Sequence, residues 1–522
     1  LLAHIQSTLD VLGQPAGLGA LANLRHGVEK ESLRIDPEGR LALTPHPQGL
    51  GAALTHDCIT TDFSESLMEF ITPVAGDPAA TVRTLEDIHT FIYSQLPREE
   101  LLWTSSMPCV LPDSNQIPLA RYGSSNIATL KTLYRRGLGF RYGRTMQTIA
   151  GIHFNFSLPD SLWRLLQTHE GNDEPLEVFR TARYFALIRN FRRTSWLLLY
   201  LFGASPALCR SFVRHTPNHG LDAYDEASLY LPHATSLRMG DLGYTSKAQA
   251  GLGISYNSVS EYTDGLLRAI QTPYEPYLAF STGDGSPAQV NPNILQMEAE
   301  FYSTIRPKRI PAKGERPVTA LRKHGVEYIE VRCLDLNPFL AVGIDEETMH
   351  FLSGFLLYCA LQPSPPSHGG EHAEIDMNHK AVVRRGREPG LMLLRQGQAL
   401  TLQGWAQEIL DGVAAIAELL DKATGRPVHG AATALQRAKI RDSRLTPSAR
   451  VLERMRELKT SYFRFAMNQS LANSDYFRAR QLPPARLEDF LHRSARSIAQ
   501  QHAIEQADTV DFPTFLQQFN AH

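Results

Sequence analysis

Cysteine is scarce in this 522-residue chain: there are five, Cys58, Cys109, Cys209, Cys333 and Cys359, odd in number and without a CxxC pair. That spacing argues against a structural zinc ribbon or a disulfide framework and predicts reduced thiols in a cytoplasmic protein. Excess charge of either sign is also missing. With 52 Lys plus Arg against 54 Asp plus Glu the formal charge is -2, so no broad basic field exists to draw in a nucleic-acid backbone. The most apolar run, WLLLYLFGASPALC from Trp196, is broken by Gly203, Ser205 and Pro206 short of the ~20 residues of a spanning helix. No membrane partner is expected. The N-terminal LLAHIQSTLDVLG has neither a basic n-region nor a small-residue cleavage site, and reads as a short amphipathic helix.

Phosphate-binding and metal signatures are equally thin. There is no GxxxxGK[ST], so any use of ATP is not of the P-loop kind. GLGALA from Gly17 follows QPA and not a strand, which leaves a dinucleotide fingerprint without its frame. HGGEH, His368 to His372, matches the HxxEH zinc-hydrolase pattern, but that chemistry needs both imidazoles on one helical turn, and this copy lies among Pro and Gly. A zinc hydrolase is the rival from a different class.

What is present suits a globular protein with a large core, since 43% of the residues are hydrophobic. Residues 27 to 75 alternate at period two between turn signals such as DPEG and HPQG, which predicts antiparallel strands. The stretch PAATVRTLEDIHTFIYSQL then places Val82, Leu85, Ile88 and Ile92 on one helical face. Strands and helices without regular βαβ alternation predict an α+β fold. LQPSPPSHGGEH, residues 361 to 372, is the clearest composition break. It separates a core region, 1–361, from a mostly helical part, 362–522, packed on it as a second unit or within a single domain. In that second part GWAQEILDGVAAIAELLDKATG aligns Ile409, Val413, Ile416 and Leu420, with Gly425 as a stop.

The chemistry concentrates in four segments. In GVEKESLRI, 27 to 35, a strand would put Glu29 and Glu31 on one face, where two like charges about 4 Å apart repel by roughly 4 kcal/mol at an effective dielectric near 20. In AGIHFNFSLP, His153 and Asn155 oppose Ile152, Phe154 and Phe156; in GVEYIEVRCLDLNP, Glu330 and Arg332 oppose Ile329, Val331 and Cys333. DFSESLMEFITP adds Asp62, Glu65 and Glu69. A solvated face would favour Lys, Thr and mixed charge. Carboxylates with one His are instead the ligand types of Mg²⁺ or Mn²⁺, and such cations would offset the repulsion. Metal held by carboxylates without a P-loop points to phosphoryl chemistry, with Arg332 placed for the transferring group. IRPKRIPAKGERP supplies Arg306, Lys308 and Arg309 for phosphate oxygens; Tyr134, Arg135, Arg238 and Tyr244 could hold a small zwitterion.

These residues lie in segments that resemble the glutamate-cysteine ligase family of the proteobacterial type. ITTDFSESLMEFITP, SMPC, YGSSN, KTLYRRGL, GIHFNFSLP, LFGASPA, LPHATSLRMGDLGYTSK, IRPKR, GVEYIEVRCLDLNPF and GREPGL follow one another in the family's order from about residue 20 to 460. The resemblance implies a glutamine synthetase-like fold, with a curved antiparallel sheet forming a funnel packed by helices. It implies that ATP phosphorylates the glutamate side chain and that the cysteine amine attacks the acyl phosphate, giving gamma-glutamylcysteine, ADP and phosphate, the first step of glutathione biosynthesis. Another glutamate-amine ligase of the same superfamily is the alternative. Carried over position by position, the metal ligands are Glu29, Glu31, Asp62, Glu69, His153 and Glu330, Arg332 meets the phosphoryl group or glutamate, and Phe63, Tyr134, Arg238, Tyr244 and Tyr302 form the cysteine pocket. A monomer is expected, with inhibition by glutathione a further expectation to test. Cys58 and Cys333 flank this site and are read as buried, inert thiols.

Overall fold

The computed structural model describes residues 5–108, 110–216, 218–242, 247–312 and 314–521. Its strands are β1 (Arg25–Ile35), β2 (Ile59–Thr61), β3 (Leu67–Ile71), β4 (Leu101–Leu102), β5 (Ile152–Ser157), β6 (Ala207–Cys209), β7 (Asp222–Ala223), β8 (Ser228–Tyr230), β9 (Ile305–Lys308), β10 (Tyr328–Leu334), β11 (Met392–Arg395) and β12 (Gln398–Thr401). Seven of them form one sheet in the order β2-β3-β1-β5-β10-β9, with β4 also paired to β1. Each pairing is antiparallel, as expected from the alternating pattern. A three-stranded sheet (β6-β8-β7) and the β11-β12 hairpin lie apart from it.

One face of the sheet packs on the core and the other opens onto a cavity, and period-two alternation sends most apolar side chains to the first, with Lys30 and Ser32 as buried polar exceptions. Val28, Phe70, Ile152, Phe154, Ile329 and Val331 are fully buried on the covered side. The helix Pro78–Gln95 packs against β1 and β3 and buries Leu85, Ile88 and Ile92, with Val82 partly exposed. Its start is fixed by Asp77, whose side chain accepts from the Ala79 amide at 3.2 Å, and by Pro78 in the first turn. The apolar run from Trp196 is a buried helix, Trp196–Phe202. No helix among the described residues is long and apolar enough to cross a membrane.

The break at 361 to 372 is a short irregular link, and its Gly-Gly pair opens a helix, Gly369–Arg385, where the sequence pattern suggested only loop. His368 caps it by accepting the Glu371 amide at Nδ1. Glu371 pairs with Arg193 at 2.7 Å and His372 Nε2 meets Ser367 Oγ at 2.9 Å. With the Glu held by an arginine and one His used as a cap, HGGEH has a structural explanation and presents no zinc-hydrolase constellation. Beyond it, the helix Leu402–Thr424 runs from a Thr401 cap to Gly425 at φ 67°, a left-handed position that suits glycine. Its apolar face packs on the helix Glu346–Leu361, and one hydrophobic cluster contains Phe351, Leu352, Ile409 and Val413 from both sides of the break.

Two findings correct or extend the sequence reading. Cys209 is disulfide-bonded, against the expectation of reduced thiols throughout; Cys58, Cys333 and Cys359 are free and buried. Pairing needs two Cα atoms within about 7 Å, which spacing along a chain does not report. Burial pushes the Cys58 and Cys333 thiols up to about 12, so both are inert at neutral pH, as expected.

Lys30, between Glu29 and Glu31 in the chain, points the other way and is buried on the covered face, its Nζ 2.6 Å from His89 Nε2 and above the Phe70 ring. Burial lowers its pKa to about 7. Between pH 7 and about 10.5 the unfolded chain then binds a proton that the folded chain does not. Raising the pH through that window therefore favours folding. Lys30→Met is expected to flatten this rise, read as Tm against pH from 7 to 10 after subtracting the wild-type profile; parallel profiles would exclude it.

Candidate active site

Strand register brings the acids together. Glu31 stands directly opposite Glu69 across β1 and β3, Glu29 opposite His153 across β1 and β5, and Glu330 between Asn155 of β5 and Arg306 of β9. On the open face these side chains line a cavity of about 290 Å³. Its walls include all six expected metal ligands, Glu29, Glu31, Asp62, Glu69, His153 and Glu330, together with Phe63, Tyr134, Arg135, Arg238, Tyr302, Arg306, Lys308 and Arg332. Tyr244 lies outside the described residues.

Arg309 does not join them. It follows the last residue of β9, so it falls out of phase with Arg306 and Lys308. Its Nη1 donates to the His324 carbonyl at 2.8 Å, and its Nε lies 3.9 Å from Glu327. Period two along IRPKR already separated 306 and 308 from 309. Arg309→Ala is accordingly expected to change kcat/KM less than about threefold, while Lys308→Ala costs at least tenfold; steady-state kinetics of both decide it. Glu65, the acid beside the cluster, turns away and accepts the amides of His46 and Arg121 at 2.5 and 2.6 Å. It clasps two loops.

The cavity is electrically divided. At one end Glu330 lies 3.3 Å from Lys308 Nζ, 3.1 Å from Arg332 Nη1 and 4.0 Å from His153 Nδ1. Burial opposes its charge, but Lys308, Arg332 and His153 hold its carboxyl well below the usual range, and Glu330 in turn raises Lys308. Glu29 is similar: burial is outweighed by its hydrogen bond to His153, 3.2 Å from Nδ1, and by the charges of His153 and Lys308, so its pKa is lowered. Asn155 Nδ2 donates to its other oxygen at 2.8 Å.

At the other end burial and mutual repulsion outweigh the nearby cations. Burial, then the charges of Glu29, Asp62 and Glu31, push Glu69 well above its ordinary value, with Arg135 a weak offset. Glu31 is raised by burial, with Asp62 adding to it, against the lowering charges of His153, whose Nε2 lies 3.7 Å away, and of Arg238 and Arg332; it also accepts the Gly151 amide at 2.7 Å. Arg135 is occupied: its Nε donates to the Asp62 carbonyl and its guanidinium lies 4.6 Å from the Tyr122 ring centroid. Donor atoms of Glu29, Glu69 and His153 lie within 4.8 Å of one another. Oxygen-rich donors with net negative charge fit a hard divalent cation. A second such group among the described residues, His56, Asp57 and Cys58, does not match it, because Asp57 is engaged by Arg493 and Arg496 and the His56 Nδ1 accepts backbone amides.

The arginine side is prepared for an anion. Arg306 Nε and Arg332 Nε are buried without a hydrogen-bond partner, which is costly unless a ligand meets them. Further lining residues escaped the sequence reading: Tyr142, Gln147 and Glu300. Glu300 is held by Arg141 at 2.9 Å, Tyr142 Oη at 2.6 Å and the Gln296 amide at 2.7 Å. It ends a single 3-10 turn, Glu298–Glu300, too short for periodicity to mark a face.

Residues 9–382 match the family described as glutamate-cysteine ligase. The chain belongs to the glutamate-cysteine ligase family. A glutamate-cysteine ligase of Pseudomonas putida (strain W619) is 52% identical over 98% of this chain and 97% of its own length, and one of Pseudomonas aeruginosa (strain LESB58) is likewise 52% identical, with the same shares. In structure, the glutamate-cysteine ligase of Francisella tularensis, solved in complex with AMP, superposes with a TM-score of 0.89 at 34% identity, covering 96% of this chain and 98% of that one. A bifunctional glutathione synthetase of Pasteurella multocida shares the fold, with a TM-score of 0.66 at 23% identity, over 91% of this chain and 53% of that one. The α+β architecture around an antiparallel sheet is thus the ligase family's, consistent with the glutamine synthetase-like fold that the resemblance implied.

Proposed function

We propose that this member of the ligase family couples ATP cleavage to the joining of the glutamate side-chain carboxylate and the cysteine amino group. One glutamate oxygen attacks the γ-phosphorus and ADP leaves; the amine nitrogen then attacks the acyl carbon, phosphate leaves and the amine gives up a proton. The observation that carries this reading is the division of one cavity into an under-compensated acidic end and an arginine-lined end. Phosphoryl transfer between two anions needs both.

Glu29, Glu69 and His153, with Glu31, Asp62 and Glu330 around them, would hold Mg²⁺ or Mn²⁺. Such a cation supplies charge neutralisation at phosphate oxygens when bound. Arg332, with a free Nε and a short contact to Glu330, meets the transferring group; Arg306 and Lys308 meet the nucleotide phosphates. Phe63, Tyr134 and Tyr302 offer rings to the cysteine thiol, and Arg238 its carboxylate. Every one of these residues comes from a single chain, so a monomer suffices, and need for ATP fits a cytoplasmic enzyme. Glutathione carries the gamma-glutamylcysteine unit and is expected to compete for the same pocket.

The test is ADP release with glutamate alone, cysteine alone, both, and glutamate with a panel of other amines. Full turnover only with glutamate and cysteine supports the reading; faster turnover with another amine replaces cysteine as the acceptor. Because a ring-lined pocket separates sulfur from methyl by only about 1 to 3 kcal/mol, 2-aminobutyrate is expected to serve as an acceptor, with product detected at saturating ATP and glutamate. No product from it, alongside ready reaction of serine, contradicts a ring-lined thiol pocket.

A further inference from the structure

Arg238 reaches the cavity through a narrow passage. It sits in the turn Leu237–Met239, and its side chain runs between four neighbours, one of them Met239, whose Sδ lies 3.1 Å from Nη1. Behind it Asp335 Oδ1 lies 3.7 Å from Nη1. Asp335 is itself fixed by the Ala204 amide and the Ser205 hydroxyl, both at 2.8 Å, and by the Ser236 hydroxyl at 2.9 Å. Beside it the Arg332 carbonyl accepts from Nη2 at 3.2 Å. Against the guanidinium also lies Gly151. A Cβ placed on Gly151 would lie 2.5 Å from Cζ and 3.0 Å from Nε of Arg238, and closer still to Nη2. Its nearest neighbours are all atoms of that guanidinium.

Nothing else requires glycine there. Gly151 is not among the residues with positive φ, so its backbone suits any L-residue. Its amide donates to Glu31 Oε2 at 2.7 Å and its carbonyl accepts from the Glu31 amide at 3.0 Å, bonds that an alanine keeps.

We infer that Gly151 is a positioning residue of the active site: its missing side chain is the space in which the Arg238 guanidinium is held against Asp335 and the Arg332 carbonyl. The inference rests on the reading of Arg238 as a substrate-contacting group of the proposed reaction. A methyl at 151 displaces the flexible end of one side chain, and leaves the sheet intact. Its consequence falls on activity more than on stability, because an ångström of misplacement in a reacting constellation costs on the order of 10²-fold.

The experiment is a double-mutant cycle with Gly151→Ala and Arg238→Ala, scored by kcat and by KM for ATP, glutamate and cysteine, with Tm measured for each protein. Gly151→Ala is expected to lower kcat/KM by ten- to a hundredfold, in the same kinetic parameter that Arg238→Ala affects. In the Arg238→Ala background the same substitution is expected to change kcat/KM less than twofold, since the methyl then enters empty space. A loss that persists undiminished in that background overturns the inference, as does wild-type activity of Gly151→Ala beside an impaired Arg238→Ala. Wild-type activity of Arg238→Ala itself would instead overturn the reading of Arg238. Should Gly151→Ala alone be unstable, recovery of Tm in the double variant supports the inference and continued instability counts against it.

Discussion

Glu330→Gln is expected to lower kcat by about 10²- to 10³-fold, the scale on which one preorganised electrostatic partner acts in a closed site. The amide has the shape of the carboxylate, so any loss comes from charge. Among the described residues Glu330 is the one acid in contact with Lys308, Arg332 and, at the edge of contact, His153, and it is 1% exposed. On the proposed reading, neutralising it takes an oxygen donor from the proposed cation site and leaves two basic groups without their common partner, which shifts both from the positions proposed to face the phosphoryl group. The KM for ATP is expected to rise as well, because Lys308 is proposed to meet the nucleotide phosphates. Rates of ADP release over a range of ATP and Mg²⁺ concentrations check this. A kcat within threefold of wild type would remove Glu330 from the mechanism.

Glu69→Gln is expected to separate stability from activity. Glu69 faces Glu31 across the strand pair and is pushed well above its ordinary pKa by burial and by Glu29, Asp62 and Glu31. Between the carboxylate range of the unfolded chain and that raised value, the folded protein binds the extra proton, so its stability falls as pH rises. Without divalent cation, the glutamine variant therefore melts above wild type at pH 7, and its advantage shrinks as the pH is lowered toward 4.5. Divalent cation reverses the order. Ligand at a hundred times its Kd stabilises a protein by about 2.7 kcal/mol, and that gain should appear in wild type and be strongly reduced in the variant. Its turnover is expected to drop at least a hundredfold. Calorimetric melts with EDTA and with Mg²⁺ at several pH values report all of this. A variant less stable than wild type in EDTA at pH 7, or one with an undiminished Mg²⁺ response, would show that Glu69 does not face an under-compensated acidic cluster.

Several features of the site were legible in the sequence because strands have period two. Glu29 and Glu31 flank Lys30, which points to the covered face, while His153 with Asn155 and Glu330 with Arg332 alternate against apolar neighbours. An alternation so clean names the open face before any partner strand is known. The same logic separates Arg306 and Lys308 from Arg309, which chemical likeness alone had grouped together. The helical stops and stripes, such as Gly425 and the Ile409–Leu420 face, are local too, and they appear where the pattern placed them.

Other features had no local signature. Tyr142 is the last residue of the helix Asn126–Tyr142 and Glu300 ends a single turn, Glu298–Glu300, so neither position shows from one segment that it faces the cavity. The disulfide at Cys209 is not announced by spacing along the chain, and HGGEH looks like a loop until a helix is seen to begin within it. The sequence by itself determined the kinds of element, which side of each strand carries the acids, and the family's chemistry. Only the tertiary structure decided that Glu31 meets Glu69 and Glu29 meets His153, that one end of the cavity is compensated and the other only in part, and that Gly151 leaves room for Arg238. Periodicity is a property of neighbouring residues along the chain, whereas charge compensation and free space depend on register between strands and on packing across hundreds of residues, which a pattern read along one segment does not contain.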